Sequence, residues 1–276
     1  MSKKKCDSCT EGKKVLQLLF SKKYKETNKI SELLKKPRVW GALMGELIGT
    51  MLLTIAFMTI IGVIRADLVP LILFGSIIAI YATTYSLSGA HLNPIITAGA
   101  MATRRLSVTR GIFYILAQFI GAWLGLLILI LFKNGSGSSL EVPTNLIEVS
   151  NENFWLIVLI ELMGAVILGF LFARASRIGK KEILSYVAVM ASCVAALFLL
   201  GAIISQNYFE IHASLVFNPA SASAYPIFSN ITEGIGQIIL VLLAYFIVPM
   251  VGGIVGAFIS DLATYFVGDG YICNEK

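Results

Sequence analysis

Charge is scarce in this chain. Only 14% of its 276 residues are Asp, Glu, Lys or Arg, against 57% hydrophobic, where a soluble globular domain carries nearer a quarter charged residues. That shortage excludes an ordinary soluble domain. Several apolar stretches reach the roughly 20 residues needed to span hydrocarbon. Histidine numbers two and cysteine four, which leaves little for metal or disulfide chemistry. Cys6 and Cys9 form a lone Cys-x-x-Cys pair, Cys193 lies in an apolar run and Cys273 in the tail. A structural zinc needs about four ligands, and no second pair exists. An intramembrane enzyme would need a nucleophile–base pair or a ligand cluster, and Asp and His are too sparse in the apolar runs. The chain is therefore expected to be no enzyme and to use no cofactor and no metal. No cleavable signal peptide is expected either, because the first apolar run, Val15 to Phe20, is shorter than an h-region.

What charge there is lies unevenly. The net charge is +6, and twelve of the 22 basic residues fall between Lys3 and Arg38. Most of the others sit in two short links, Arg104, Arg105 and Arg110, then Arg174, Arg177, Lys180 and Lys181. Basic links between apolar spans mark the cytoplasmic side of a membrane. This pattern argues against a nucleic-acid partner. The mixed basic and apolar segment from about Lys13 to Lys36 fits an amphipathic helix on an anionic lipid surface, and equally a solvated tail.

Six spans are predicted, at about Val39–Ile64, Leu68–Leu87, Thr109–Phe132, Phe154–Arg174, Ile183–Ile204 and Gly234–Ile259. A Gly/Ser-rich, then polar link separates two halves. The expected layout is a basic N-terminal segment (1–38), a first repeat (39–132), an extracellular linker (133–153), a second repeat (154–265) and a tail (266–276), with both termini cytoplasmic.

The halves resemble each other. Each opens with a span carrying one Glu, in Gly45-Glu46-Leu47-Ile48-Gly49 and Glu161-Leu162-Met163-Gly164. Each then has a second span, an Asn-Pro segment and a third span with Gln, Gln118 or Gln237. Three spans per half is odd, so the second half must enter the membrane inverted. Inverted repeats place a shared site near the midplane, where discontinuous helices meet.

Asn93-Pro94-Ile95 and Asn218-Pro219-Ala220 are the segments fit to be those helices. Asn is a favoured N-cap, and Pro suits the first helical position because its missing N–H would be an orphan there anyway. The residues that follow reach about half a bilayer. Two such N-termini meeting head to head concentrate partial positive charge. Two Asn amides then donate to one passing oxygen, which must turn its hydrogens away. That interrupts proton hopping while the field repels cations, and neutral solutes pass.

With these strings the chain resembles the aquaporin and glycerol-facilitator, or major intrinsic protein, family over about residues 39–265. The matching strings are Gly45-Glu46, Ser88-Gly89-Ala90-His91-Leu92-Asn93-Pro94, Gln118-Phe119-Ile120-Gly121-Ala122, Glu161, Asn218-Pro219-Ala220 and Pro249-Met250-Val251-Gly252-Gly253. The resemblance implies an all-α membrane protein with six transmembrane helices and two re-entrant half-helices, one pore per subunit and a homotetramer. It implies pore residues Asn93, Pro94, Ile95, Asn218, Pro219 and Ala220. It places an outer selectivity constriction at Ser221, at Leu73 or Phe74, and at Ala202. Glu46, Glu161 and His91 would support the re-entrant loops, although a buried Glu in an apolar span also fits a proton-coupling site.

Three departures from the family pattern stand out. Ile95 replaces the usual Ala, and its bulk is expected to shift the first half-helix or narrow its surroundings. Ser221 stands where the family has Arg, and Ala222 where glycerol-conducting members carry Asp. Losing a guanidinium removes a fixed charge and several donors, so the constriction should be wider and less selective. The expected function is a passive channel in the plasma membrane for water and small neutral solutes, glycerol and urea among them. The alternatives are an ion-coupled secondary transporter and a non-conducting membrane protein. Gly121 and Gly125, like Gly252 and Gly256, stand four apart, a spacing that permits close helix packing.

Overall fold

The computed structural model describes residues 29–63, 68–136, 149, 152–178, 182–208, 217–224 and 235–267. Within them lie the short α1 (Ile30–Leu33), then α2 (Pro37–Val63), α3 (Val69–Ser88), α4 (Pro94–Ala102), α5 (Val108–Ser136), α6 (Phe154–Ile178), α7 (Ile183–Tyr208), α8 (Pro219–Ala224), α9 (Ile235–Leu242) and α10 (Val248–Val267). No strand occurs among the described residues. Six helical stretches are long and apolar enough to cross a membrane: Pro37–Thr59, Val69–Ser88, Val108–Phe132, Phe154–Ile178, Ile183–Ile204 and Ile238–Phe266. Their outer faces are apolar too. Trp40, Met44, Ile48 and Leu52 form an exposed stripe on α2, and Leu116, Ile120, Leu127 and Leu131 another on α5. Helices that are hydrophobic all round belong in lipid.

Packing follows the repeat. The two most extensive helix pairs are α2 with α5 and α6 with α10, the first and third spans of each half. The half-helices then cross over. α4, from the first half, packs on α10, and α8, from the second, packs on α5. Each half therefore completes the other.

Glycines set the distance within both pairs, in the same register. A Cβ on Gly121 would strike the Leu47 carbonyl, and one on Gly125 the Met51 carbonyl. Across the second pair, a Cβ on Gly252 would crowd the Leu162 carbonyl and one on Gly256 would strike the Val166 carbonyl. Leu47 and Leu162 each follow the span's Glu by one residue, and Met51 and Val166 by five. Backbone-to-backbone approach of this kind tolerates no larger residue.

That register corrects one expectation. Gln118 lies three residues before Gly121, and the residue three before Gly252 is Pro249. The counterpart of Gln118 is thus Pro249, not Gln237, whose side chain lies outside the described residues. The sixth span also has an unforeseen feature: Leu243–Ile247 is a π-helical turn closed by the Val248 N–H on the Leu243 carbonyl. Pro249 follows directly. A proline ring clashes with the carbonyl four residues back and offers that group no N–H, and the wider turn lets the helix absorb it. The span runs on to Val267, eight residues beyond the expected Ile259.

Candidate functional site

The two Asn-Pro segments meet head to head. Asn93 caps α4, its Oδ1 accepting the Ile95 N–H at 2.9 Å. Asn218 caps α8 likewise, its Oδ1 accepting from Ala220 N at 3.1 Å and Ser221 N at 3.4 Å. The amide ends then cross: Asn93 Nδ2 donates to the Phe217 carbonyl at 2.8 Å, and Asn218 Nδ2 to the Leu92 carbonyl at 3.0 Å. Leu92 and Phe217, the residues before each Asn, both have positive φ, 53° and 44°. Non-glycine residues rarely adopt that region. Strain of this kind persists only where the surroundings over-determine it, and here it turns each carbonyl toward the opposite loop. A carboxamide carries two N–H donors. One on each Asn is committed to the crossing, and the other remains at the junction of the two helix ends.

Glycine makes room for both strained residues. A Cβ on Gly49 would meet the Leu92 side chain, and one on Gly164 the Phe217 ring. Each glycine lies three residues after the span's Glu. The signal was present in the sequence as Glu-Leu-Ile-Gly and Glu-Leu-Met-Gly, but nothing short of coordinates ties those glycines to the residue before each Asn.

Glu46 is fully buried and anchors the first loop. Its Oε1 accepts from His91 N at 3.0 Å, and its Oε2 from Leu92 N and Gln118 Nε2, both at 2.7 Å. Gln118 Nε2 also reaches Thr97 Oγ1 at 2.9 Å, and that hydroxyl donates to the Asn93 carbonyl at 3.1 Å. Gln118 thus bridges Glu46 and Thr97. His91 sits edge-on to Tyr114 and Phe172, its Nδ1 3.3 Å from Thr97 Oγ1. Tyrosines complete the loop. Tyr114 donates to the Ser88 carbonyl at 3.1 Å, and Tyr186 to the Gly89 and Ala90 carbonyls at 3.0 and 3.3 Å. Irregular backbone at membrane depth must be satisfied by protein or by water in a cavity, and these groups satisfy it. Glu161 is equally buried on α6. Residues 209–216, the loop ahead of Asn218, lie outside the described residues, as does His212 within them.

The four constriction candidates are placed differently. α3 turns Leu73 into the core at 0% exposure and leaves Phe74 at 36% on the outer surface. Ala202 is half-buried on α7. Ser221 is fully buried, its Oγ 3.0 Å from Thr54 Oγ1 on α2. Ile95 is also fully buried. It faces α10, where a Cβ on Gly253 would fall 2.5 Å from both its Cγ2 and its carbonyl oxygen. Gly253 takes up the extra bulk of Ile95. At the matching positions of the other half stand Ala220 and Ala122, both fully buried.

The basic links converge at one end of the bundle. Arg105 holds Asp261 with two bonds, Nη1 to Oδ2 at 3.1 Å and Nη2 to Oδ1 at 2.6 Å, and Arg177 Nη2 reaches the same Oδ1 at 2.6 Å. Two arginines from different links thus share one carboxylate on α10. Lys180 and Lys181, Cys6, Cys9, Cys273 and residues 13–28 of the Lys13–Lys36 segment lie outside the described residues.

Comparison with known proteins agrees with this geometry. The family model for "Major intrinsic protein" matches residues 32–263. Among curated relatives, Aquaporin PIP1-3/PIP1-4 of Zea mays is 39% identical over 75 residues, covering 25% of this chain and 26% of its own. Aquaporin PIP1-2 of Musa acuminata is 30% identical over 116 residues, 36% of this chain and 45% of its own. The matched stretches thus span less than half the length of these relatives. The X-ray structure of the aquaglyceroporin from Plasmodium falciparum superposes with a TM-score of 0.57 at 20% identity, covering 85% of this chain and 97% of that one, which speaks to the fold. The family match over most of the chain, on a bundle of six spans and two half-helices joined at paired asparagines, makes this a multi-pass membrane protein that belongs to the major intrinsic protein family.

Proposed function

We propose that the chain forms a passive transmembrane channel for water and small neutral solutes such as glycerol, and that it excludes protons and ions. The observation that carries this reading is the reciprocal crossing of Asn93 and Asn218. It holds both amides rigidly and leaves one N–H of each where two helix N-termini converge. A solute oxygen accepting both donors cannot also pass a proton along a chain of waters, and the positive helix ends disfavour a cation.

Glycerol and urea enter the proposal through Ser221. Ser221, and not an arginine, follows the second Asn-Pro triplet in the sequence, and its side chain meets Thr54. A passive channel is favoured over an ion-coupled transporter because both oxygens of Glu46 already accept from loop N–H groups and Gln118. The arginine-rich ends near Asp261 support a cytoplasmic placement of both termini. Residence in the plasma membrane and assembly as a homotetramer belong to the same proposal, as the family resemblance implies.

Reconstituted into proteoliposomes, the protein should raise osmotic water permeability and glycerol and urea flux, without proton leak. Rapid water flux with no glycerol flux would remove the polyol part of the proposal. Concentrative uptake driven by an ion gradient would replace the channel by a coupled transporter. Absence of any flux would leave a non-conducting membrane protein.

A further inference from the structure

We infer that the arginine-rich end of α6, Arg174 with Arg177, holds the phosphate of an anionic phospholipid whose acyl chain runs down the apolar face of the same helix. The inference uses the membrane placement of the chain and not the channel reading. Two guanidiniums meet there on one neutral atom. Arg174 Nη1 donates to Thr264 Oγ1 on α10 at 3.0 Å, and Arg177 Nη1 donates to the same oxygen. That hydroxyl gives its own proton to the Ser260 carbonyl at 2.9 Å. A hydroxyl has one proton and two lone pairs, so Thr264 is fully used and neutralises neither arginine.

The carboxylate beside them is already shared. Asp261 takes both Nη atoms of Arg105 and Nη2 of Arg177. Among the described residues, three guanidiniums thus face one carboxylate, which leaves an excess of positive charge. The excess lies on the outside. The Asp261 side chain is 5% exposed, Arg105 19% and Arg177 35%, and Arg174 is exposed. A cation at the C-terminal end of a helix is ordinary, but that does not explain two arginines gathered on one uncharged oxygen at the rim. A guanidinium presents its N–H groups as a planar fork that matches phosphate oxygens.

The apolar half of the ligand follows from the same helix. Leu156, Met163 and Ile167 are exposed on α6, and Arg174 continues their line in steps of seven, four and seven residues. Such spacings stack side chains on one face. From Met163 to Arg174 the rise is about 16 Å, close to half of the roughly 30 Å hydrocarbon core. One acyl chain of one leaflet fits alongside, with its headgroup at the guanidiniums. Basic residues near a membrane attract acidic lipids in general. What singles out this position is the arginine pair at the head of an apolar stripe of one-leaflet length. A free anion would use the guanidiniums and leave the stripe unused.

The test titrates the full chain in detergent with phosphatidylglycerol or phosphatidylcholine of identical acyl chains. Native mass spectrometry counts bound lipid, and thermal unfolding reads stability. Wild type should bind phosphatidylglycerol about tenfold more tightly than phosphatidylcholine, and Arg174→Gln should lose about fivefold of that preference. Arg174→Lys should fall between, since it keeps the charge and loses the fork. Arg38→Gln removes a charge from an exposed residue at the start of α2 and should bind as wild type does. A bound ligand raises the unfolding temperature, so phosphatidylglycerol should stabilise wild type more than Arg174→Gln. Equal affinity of wild type for the two lipids, or an equal loss in Arg38→Gln, overturns the site. Inorganic phosphate is the third probe: stabilisation that depends on Arg174 and equals that of the lipid assigns the arginines to a free anion and overturns the lipid. Where Arg174→Gln does not fold, Arg174→Lys decides: affinity for phosphatidylglycerol equal to wild type refutes recognition by the fork.

Discussion

Replacing Glu46 by Gln separates a scaffold from a proton site. Three donors converge on the two carboxyl oxygens at 2.7–3.0 Å, in a fully buried setting. Gln supplies one acceptor oxygen and an NH2 group. If the oxygen keeps the Leu92 and Gln118 contacts, the NH2 is left facing the His91 N–H, and that buried donor loses its only acceptor. An orphaned buried donor costs about 1–3 kcal/mol, and each remaining contact weakens by about 1 kcal/mol as charge assistance is lost. The whole effect is about 3–5 kcal/mol, a large fraction of a typical folding free energy. It acts on the loop that ends in Asn93, so flux should fall together with stability, at every pH. Thermal unfolding in detergent and stopped-flow water flux from pH 5 to 8 measure both. A proton-coupling carboxyl predicts the reverse: a stably folded variant that has lost only its pH dependence. Unchanged unfolding temperature with intact flux would refute the scaffold argument.

Asn93→Asp and Asn218→Asp each put an oxygen against a carbonyl at 2.8 or 3.0 Å; both should lose water flux to a similar degree in vesicle-shrinkage assays, and full flux in either would contradict the crossed-amide site. Gly253→Ala should destabilise by about 1–3 kcal/mol through overpacking against Ile95, and Ile95→Ala should relieve part of that. A double-mutant cycle by thermal unfolding should give a coupling above about 0.5 kcal/mol. Asp261→Asn leaves the partly buried Arg105 and Arg177 guanidiniums without their shared carboxylate. It should destabilise by about 1–3 kcal/mol, read as a lower unfolding temperature that changes little with salt.

The spans were legible because length and hydropathy are local properties, and the half-helices because Asn followed by Pro is a cap signal that needs no tertiary context. The roles of Glu46 and His91 came from resemblance, and the geometry supplies their partners. Other features were hidden because they depend on which surfaces meet. Gln237 was matched to Gln118 by residue type, whereas the true register is set by where glycines admit a neighbour's backbone, and that selects Pro249. The choice between Leu73 and Phe74 could not be made in sequence, since a one-residue offset turns a helical side chain by about 100°.

Symmetry and its breaches divide the labour of the molecule. Where the halves agree, the matched parts are structural: a glycine three after each Glu receives the residue before each Asn, and two glycines per third span admit a backbone carbonyl. These positions fix the meeting of Asn93 and Asn218, whose symmetry suits the proposed role of offering one solute oxygen two equivalent donors. Where the halves differ, the differences compensate in pairs. Ile95 with Gly253 stands opposite Ala220 with Ala122, so the larger side chain of the first pair is matched by the residue with none. Gln118, which ties Glu46 to Thr97, has Pro249 as its counterpart, and a π-turn absorbs the change. A lesion that disturbs one member of such a pair should therefore be rescued at the other, and not at its symmetry mate. Gly253→Ala combined with Ile95→Ala, which installs the second half's arrangement in the first, should recover stability that Gly253→Ala combined with Ala220→Gly does not.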